Sequence, residues 1–125
     1  MDEPALIVAV DDDRSFLRSV VRLLKANGLE VRAFSSAEGP LQHGDLSKAS
    51  CLLFDIHLGA MSGIDLHREL KREGSSVPVV FMTGNDTPAI RQAAEEEGCV
   101  GFLRKPFTEE DLIETIKRAL TARLT

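Results

Sequence analysis

The chain has 125 residues and is 43% hydrophobic, enough for one compact domain that buries a core without metal or disulfide staples. Twenty acidic against fifteen basic side chains give a formal net charge of −5, which argues against unaided binding to nucleic acid or anionic lipid, because both need a basic surface. No apolar run approaches the roughly 20 residues of a membrane span. The short acidic start Met1-Asp2-Glu3-Pro4 shows no signal-peptide pattern, so the cytoplasm is the expected location.

Strand-length apolar runs alternate with segments of helical period, with no repeat or linker between them. Ala5 to Val10 (ALIVAV) is continuously apolar, as a strand covered on both faces must be. Asp13 to Asn27 follows as a helix with Phe16, Val20, Leu23, Leu24 and Asn27 on one face, closed by Gly28. Leu29 to Phe34 alternates apolar and polar, which suits an edge strand. The helix from about Ser36 is expected to be short or distorted, since Gly39-Pro40 disfavours a regular interior. Cys51 to Phe54 is the next buried strand. Gly63 to Glu73 reads as a helix with Ile64 and Leu70 inward, ended by Gly74-Ser75-Ser76. Val77 to Met82 is a strand. Thr87-Pro88 then supplies an N-cap and a first-turn proline for a helix running to about Glu97 and stopping at Gly98. Ala93-Ala94 gives that helix a thin apolar face, and Glu95-Glu96-Glu97 reads as its solvated end. Val100 to Leu103 is a short last strand. Thr108 opens the final helix with Asp111 at the third position of a capping box, and Leu112, Ile113, Ile116 and Leu120 form its inner stripe. Cys51 and Cys99 are expected to be buried, reduced thiols.

Strand then helix, repeated five times, predicts an α/β fold: a flavodoxin-like (βα)5 doubly wound parallel sheet in the order 2-1-3-4-5. In such a sheet all strand C-termini share one edge, where ligands bind. The first strand ends in Asp11, Asp12 and Asp13, the third in Asp55, the fourth in Thr83 and the fifth in Lys105-Pro106. Each could be local: a helix cap, a turn former, a solvated lysine. Jointly they predict one cleft holding several carboxylates, a hydroxyl and an ammonium. Clustered carboxylates need a cation among them, and oxygen donors select magnesium or calcium. The lysine and the hydroxyl suit a phosphoryl group, so the cleft fits phosphoryl transfer onto a carboxylate nucleophile.

The segments VDDD after the first strand, FDIHLGAMSG, FMTG and FLRKPF, in this order and spacing, resemble the receiver domain of two-component response regulators, from Leu6 to Leu120. The resemblance implies that Asp55 is the phosphoacceptor. Asp12 would bind Mg2+ directly (with Mn2+ as a substitute), Asp11 mostly through water, and the backbone carbonyl of His57 would be a further ligand. Asp13 is left as the helix cap. Thr83 and Lys105 would bind phosphoryl oxygens, Phe102 would be the switch aromatic, and the Lys105-Pro106 peptide would be cis. The implied function is that of a signalling phosphoacceptor, catalysing only its own phosphorylation and dephosphorylation. A phosphohistidine on a histidine kinase or phosphotransfer protein would be the donor. The surface of the fourth helix, fifth strand and fifth helix would then control partner binding or a phosphorylation-dependent homodimer. One domain spanning 1–125, with a core of about 5–124 and no output domain, is expected. Gly59 stands where many members carry proline, so that loop is expected to be more mobile. The main alternative is a non-phosphorylated protein-interaction module on the same fold. A flavin protein would need a Ser/Thr/Gly-rich loop where Asp11-Asp12-Asp13 stands. A carboxylate-nucleophile phosphatase would need Asp-x-Asp-x-Thr there.

Overall fold

Side chains alternate across a strand, so a run apolar at every position can be satisfied only by cover on both faces. A computed structural model, describing residues 3–42 and 46–124, has that arrangement. Its elements are β1 (Leu6–Val10), α1 (Arg14–Ala26), β2 (Glu30–Phe34), α2 (Glu38–Gln42), β3 (Cys51–Asp55), β4 (His57–Leu58), β5 (Met61–Ser62), α3 (Gly63–Arg72), β6 (Val79–Thr83), α4 (Pro88–Glu96), β7 (Gly101–Arg104) and α5 (Glu109–Leu124). Five strands form one parallel sheet in the order β2-β1-β3-β6-β7. This is the flavodoxin-like order expected from the sequence, with the two-residue strands β4 and β5 forming a separate antiparallel ladder.

The alternation divides the core. Val8, Val10, Leu52, Phe54, Val79 and Phe81 point to one face and pack with Ile64, Leu66, Leu70 and Ala94 of α3 and α4. Ile7, Ala9, Cys51, Leu53, Val80, Met82 and Leu103 point to the other and pack with residues of α1 and α5. Pro78 lies just before β6. It gives its carbonyl to Leu52 N at 2.8 Å but has no N–H of its own to give, so the strand begins at Val79 rather than Val77.

Several expectations are corrected in detail. The buried stripe of α1 is Leu17, Val20 and Leu24; Phe16 and Leu23 flank it, and Asn27 is exposed as the C-cap. Its last-turn carbonyls are closed by Asn27 N and Gly28 N, with Gly28 at φ +81° as a left-handed closing residue. On α5 Ala119 is fully buried, whereas Leu120 is only half-buried. The capping hydroxyl of Thr108 accepts from Asp111 N at 3.0 Å. Helix α2 has five residues, in keeping with its Gly39-Pro40. Both cysteines are free; Cys51 is buried, with its thiol pushed up to about 12 by burial, but Cys99 is only half-buried. Glu97 is not part of a solvated helix end. It is buried and accepts from His67 across to α3, because residues 94 and 97 share the inner side of the helix.

Candidate functional site

Each strand of the sheet delivers its last residue to the same edge, and the hydrogen bonds just beyond that edge fix where those residues point. Asp11 N donates to Phe34 O at 3.2 Å, which keeps the chain in register with β2 for one residue past β1. Asp13 then turns the chain into α1 by accepting from Phe16 N at 3.0 Å, the capping role left to it by the sequence. Asp55 ends β3, and Ile56 N donates to Met82 O at 2.9 Å, so Asp55 is held between β1 and β6. Lys105 N donates to Thr83 O at 2.7 Å, placing the lysine beside the end of β6. The Lys105-Pro106 peptide is cis.

The side chains converge. Asp11, Asp12 and Asp55 each present a carboxylate oxygen within 4.8 Å of the others. Lys105 Nζ donates to Asp11 Oδ2 at 2.6 Å and lies 3.5 Å from Asp55 Oδ2. Asp11 is fully buried and its other oxygen accepts from Asp13 N at 2.9 Å, so both its oxygens are engaged. Asp12 is exposed. The Asp55 carboxyl is raised above its ordinary value, first by burial and then by the neighbouring Asp11; Lys105 and the His57 N–H, which donates to Asp55 Oδ1 at 3.3 Å, pull the other way. Three carboxylates and one ammonium leave two negative charges unbalanced. With only oxygen donors present, the group fits a hard divalent cation such as Mg2+.

Thr83 is fully buried at the end of β6 and its hydroxyl accepts from Asn85 N at 3.0 Å. Phe102 is half-buried on β7, paired in register with Phe81. The His57 side chain is exposed, outside the carboxylate group. Gly59 adopts φ +85° in a two-residue turn with Ala60 that closes the β4–β5 ladder, the pattern of a type II′ hairpin.

Three features went unread in the sequence. Phe16 lies under the lysine, with Lys105 Nζ 4.2 Å from its ring centroid, and Phe107 meets Phe16 edge-on at 5.5 Å. This aromatic pair steers the ammonium toward the carboxylates. Gly63 starts α3 directly against the phosphoacceptor candidate's backbone: a Cβ there would stand 2.2 Å from Asp55 O. Arg91 Cζ lies 4.4 Å over the Phe102 ring. Nothing in the spacing of Phe16, Gly63 or Arg91 reveals which distant loop each will meet.

A sequence model of the response regulator receiver domain matches residues 7–117. The chain belongs to that family. This receiver domain is 36% identical over 119 residues to response regulator protein TodT of Pseudomonas putida, covering 95% of this chain and 52% of TodT. It is 37% identical over 115 residues to nodulation protein W of Bradyrhizobium diazoefficiens, covering 92% and 51% of the two chains. The chain thus spans about half the length of the curated relatives it matches. Among solved structures it resembles a CheY-like receiver domain protein from Methanospirillum hungatei, with TM-score 0.88, 26% identity and 97% of each chain covered. A receiver domain from Clostridium thermocellum gives TM-score 0.88 at 29% identity, covering 96% of this chain and 97% of that one. The chain is therefore a receiver domain of a two-component response regulator. Among the described residues no helix is long and apolar enough to cross a membrane.

Proposed function

We propose that this receiver domain accepts a phosphoryl group on Asp55 from a phosphohistidine of a histidine kinase or phosphotransfer protein. The observation that carries this reading is the meeting of Asp11, Asp12 and Asp55 with Lys105 at the carboxyl edge of the sheet. An Asp55 oxygen attacks the phosphorus, an O–P bond forms, and the P–N bond to the donor imidazole breaks with its electron pair leaving on that nitrogen. No general base is required, because the carboxylate attacks in its ionised form. Lys105 lies close enough to Asp55 to pair with an oxygen of the new group, and its short contact with Asp11 is the bond it would exchange. Thr83 is positioned at the next strand end to donate its hydroxyl proton to another oxygen.

Asp11, Asp12 and Asp55, with the His57 backbone carbonyl, would hold Mg2+, or Mn2+ in its place. The ion supplies charge neutralisation and alignment for in-line transfer. Phosphorylation then acts through Thr83 and Phe102 on the α4-β7-α5 face, which controls partner binding or homodimerisation. Water later hydrolyses the acyl phosphate and resets the domain. The net charge of −5 gives the chain no basis for binding nucleic acid directly. Residues 1–125 make up one receiver domain with its core in 5–124.

Incubation with acetyl phosphate and Mg2+ is expected to add one phosphoryl group by intact-mass spectrometry, and Asp55→Asn to abolish the adduct. An unchanged adduct in Asp55→Asn sinks the assignment.

A further inference from the structure

The ammonium of Lys105 meets neighbours of two kinds. Asp11 Oδ2 at 2.6 Å and Asp55 Oδ2 at 3.5 Å are carboxylate oxygens. The ring of Phe16 is apolar, and its centroid lies 4.2 Å from Nζ. The lysine side chain is 19% exposed, so the attraction of the ammonium to the ring counts for more than it would at an open surface.

Hydrogen bonds fix where that ring stands. Phe16 lies in the first turn of α1, and its N–H donates to Asp13 Oδ1 at 3.0 Å. Asp13 N–H in turn donates to Asp11 Oδ1 at 2.9 Å. Asp11 Oδ2 accepts from Lys105, and Lys105 sits on the Phe16 ring. The contacts form a closed circuit, from Asp11 to Asp13 to Phe16 to Lys105 and back to Asp11. Phe107, two residues past the lysine, braces the circuit: its ring meets that of Phe16 edge-to-face at 5.5 Å and 82°. A ring held at its backbone by Asp13 and at its side by Phe107 offers the ammonium a face that stays in place when the lysine changes partner.

We infer that Phe16 is the positioning residue for Lys105, a pivot on which the ammonium turns from Asp11 to the phosphoryl group. The inference rests on the proposed phosphorylation of Asp55. To pair with a phosphoryl oxygen the ammonium must give up its 2.6 Å bond to Asp11, and a hydrogen bond is lost within a shift of about 1 Å. Attraction to a ring face reaches to about 6 Å from the centroid, so it survives the shift that breaks the hydrogen bond. The ring therefore keeps the ammonium over the site between partners. Without it the flexible four-carbon stem of the lysine is free to swing toward water. Phe16 has no polar side-chain atom to offer a metal or a phosphoryl group, so it acts only through Lys105.

Timed intact-mass spectrometry with acetyl phosphate and Mg2+ reads the rate of transfer. Phe16→Leu keeps an apolar side chain but removes the ring. It is expected to slow phosphorylation about fivefold, the factor for losing a partly buried cation–π contact, with Mg2+ affinity by calorimetry unchanged. Phe16→Tyr keeps the ring and is expected to stay within about twofold of the unmodified chain. In a Lys105→Ala background Phe16→Leu is expected to cause no further slowing, because no ammonium is left to position. NMR gives a second reading on the unmodified chain. The Lys105 Hε protons are expected upfield through the ring current of Phe16, and to stay upfield with beryllofluoride and Mg2+ bound. Phe16→Leu reacting as fast as the unmodified chain, equal slowing with and without Lys105, or Hε protons that leave the upfield position on loading overturns the pivot while leaving Asp55 as phosphoacceptor. Failure of the unmodified chain both to bind beryllofluoride and to gain mass from acetyl phosphate overturns the phosphoacceptor reading and the pivot with it.

Discussion

Asp55 is crowded by Asp11 and shielded from water, and Lys105 at 3.5 Å only partly offsets both effects. Its carboxyl is therefore raised in the folded state, and the sign of the linkage follows. Between the unfolded and folded values the native state binds more protons, so this group costs stability above the folded value and the cost disappears as pH falls through it. Asp55→Asn is expected to stabilise the domain at neutral pH by about 1 kcal/mol, a common gain when a functional site is relieved of its charge conflict. Urea midpoints at pH 7 and at acid pH check this; a gain that persists unchanged into acid would contradict the electrostatic origin. Asp12 makes the complementary case. Asp11 has both oxygens engaged, whereas Asp12 faces solvent at the mouth of the group. Asp12→Ala is expected to weaken Mg2+ binding at least about tenfold, as loss of one charged ligand from a three-carboxylate set should. Calorimetry gives the answer directly, since the chain has no Trp or Tyr to report by fluorescence.

The elements carry constraints that no single residue explains. Helix α3 begins 2.2 Å, in Cβ terms, from the Asp55 carbonyl, an approach only glycine permits. Gly63→Ala must push α3 or the end of β3 aside and is expected to cost about 2 kcal/mol, within the usual range for overpacking. The same substitution displaces Asp55, so phosphorylation by acetyl phosphate should slow along with the loss of stability in urea. Midway along α3, burial lowers His67 from its ordinary 6.5 despite the adjoining Glu97. Glu97 is lowered by His67 and Lys71 even though burial opposes it. The pair is best described as a neutral His67 donating to an ionised Glu97 whose charge Lys71 and Arg68 balance. For a depressed histidine the unfolded chain binds the extra proton, so stability is complete above 6.5 and declines as pH falls below it. His67→Asn is expected to flatten the pH dependence of the thermal midpoint just below 6.5, a result read by calorimetry across that range.

At the level of the whole molecule, the proposed output surface is the α4-β7-α5 face. Phosphorylation is expected to alter self-association or partner affinity through that face. Sedimentation of the loaded and unloaded protein measures the first, and identical behaviour in both states, with identical partner affinity, would count against the face as output. The curated relatives are about twice as long as this chain.

Sequence alone determined much here because the governing signals are local. Runs such as ALIVAV and CLLF must be covered on both faces, and right-handed crossovers then leave few sheet orders. Once the order is set, the residues at the ends of the strands are delivered to one edge, so the sequence itself groups Asp11, Asp12, Asp55, Thr83 and Lys105. Only the tertiary structure decided the partners of Glu97, Phe16, Gly63 and Arg91. A glutamate run looks solvated until the packing of α4 on α3 turns one member inward, and a glycine looks like any other until a carbonyl arrives at its Cα. Strand and helix period are written in neighbouring residues, but contacts between loops distant in the chain depend on how whole elements tilt and pack, which no local pattern encodes.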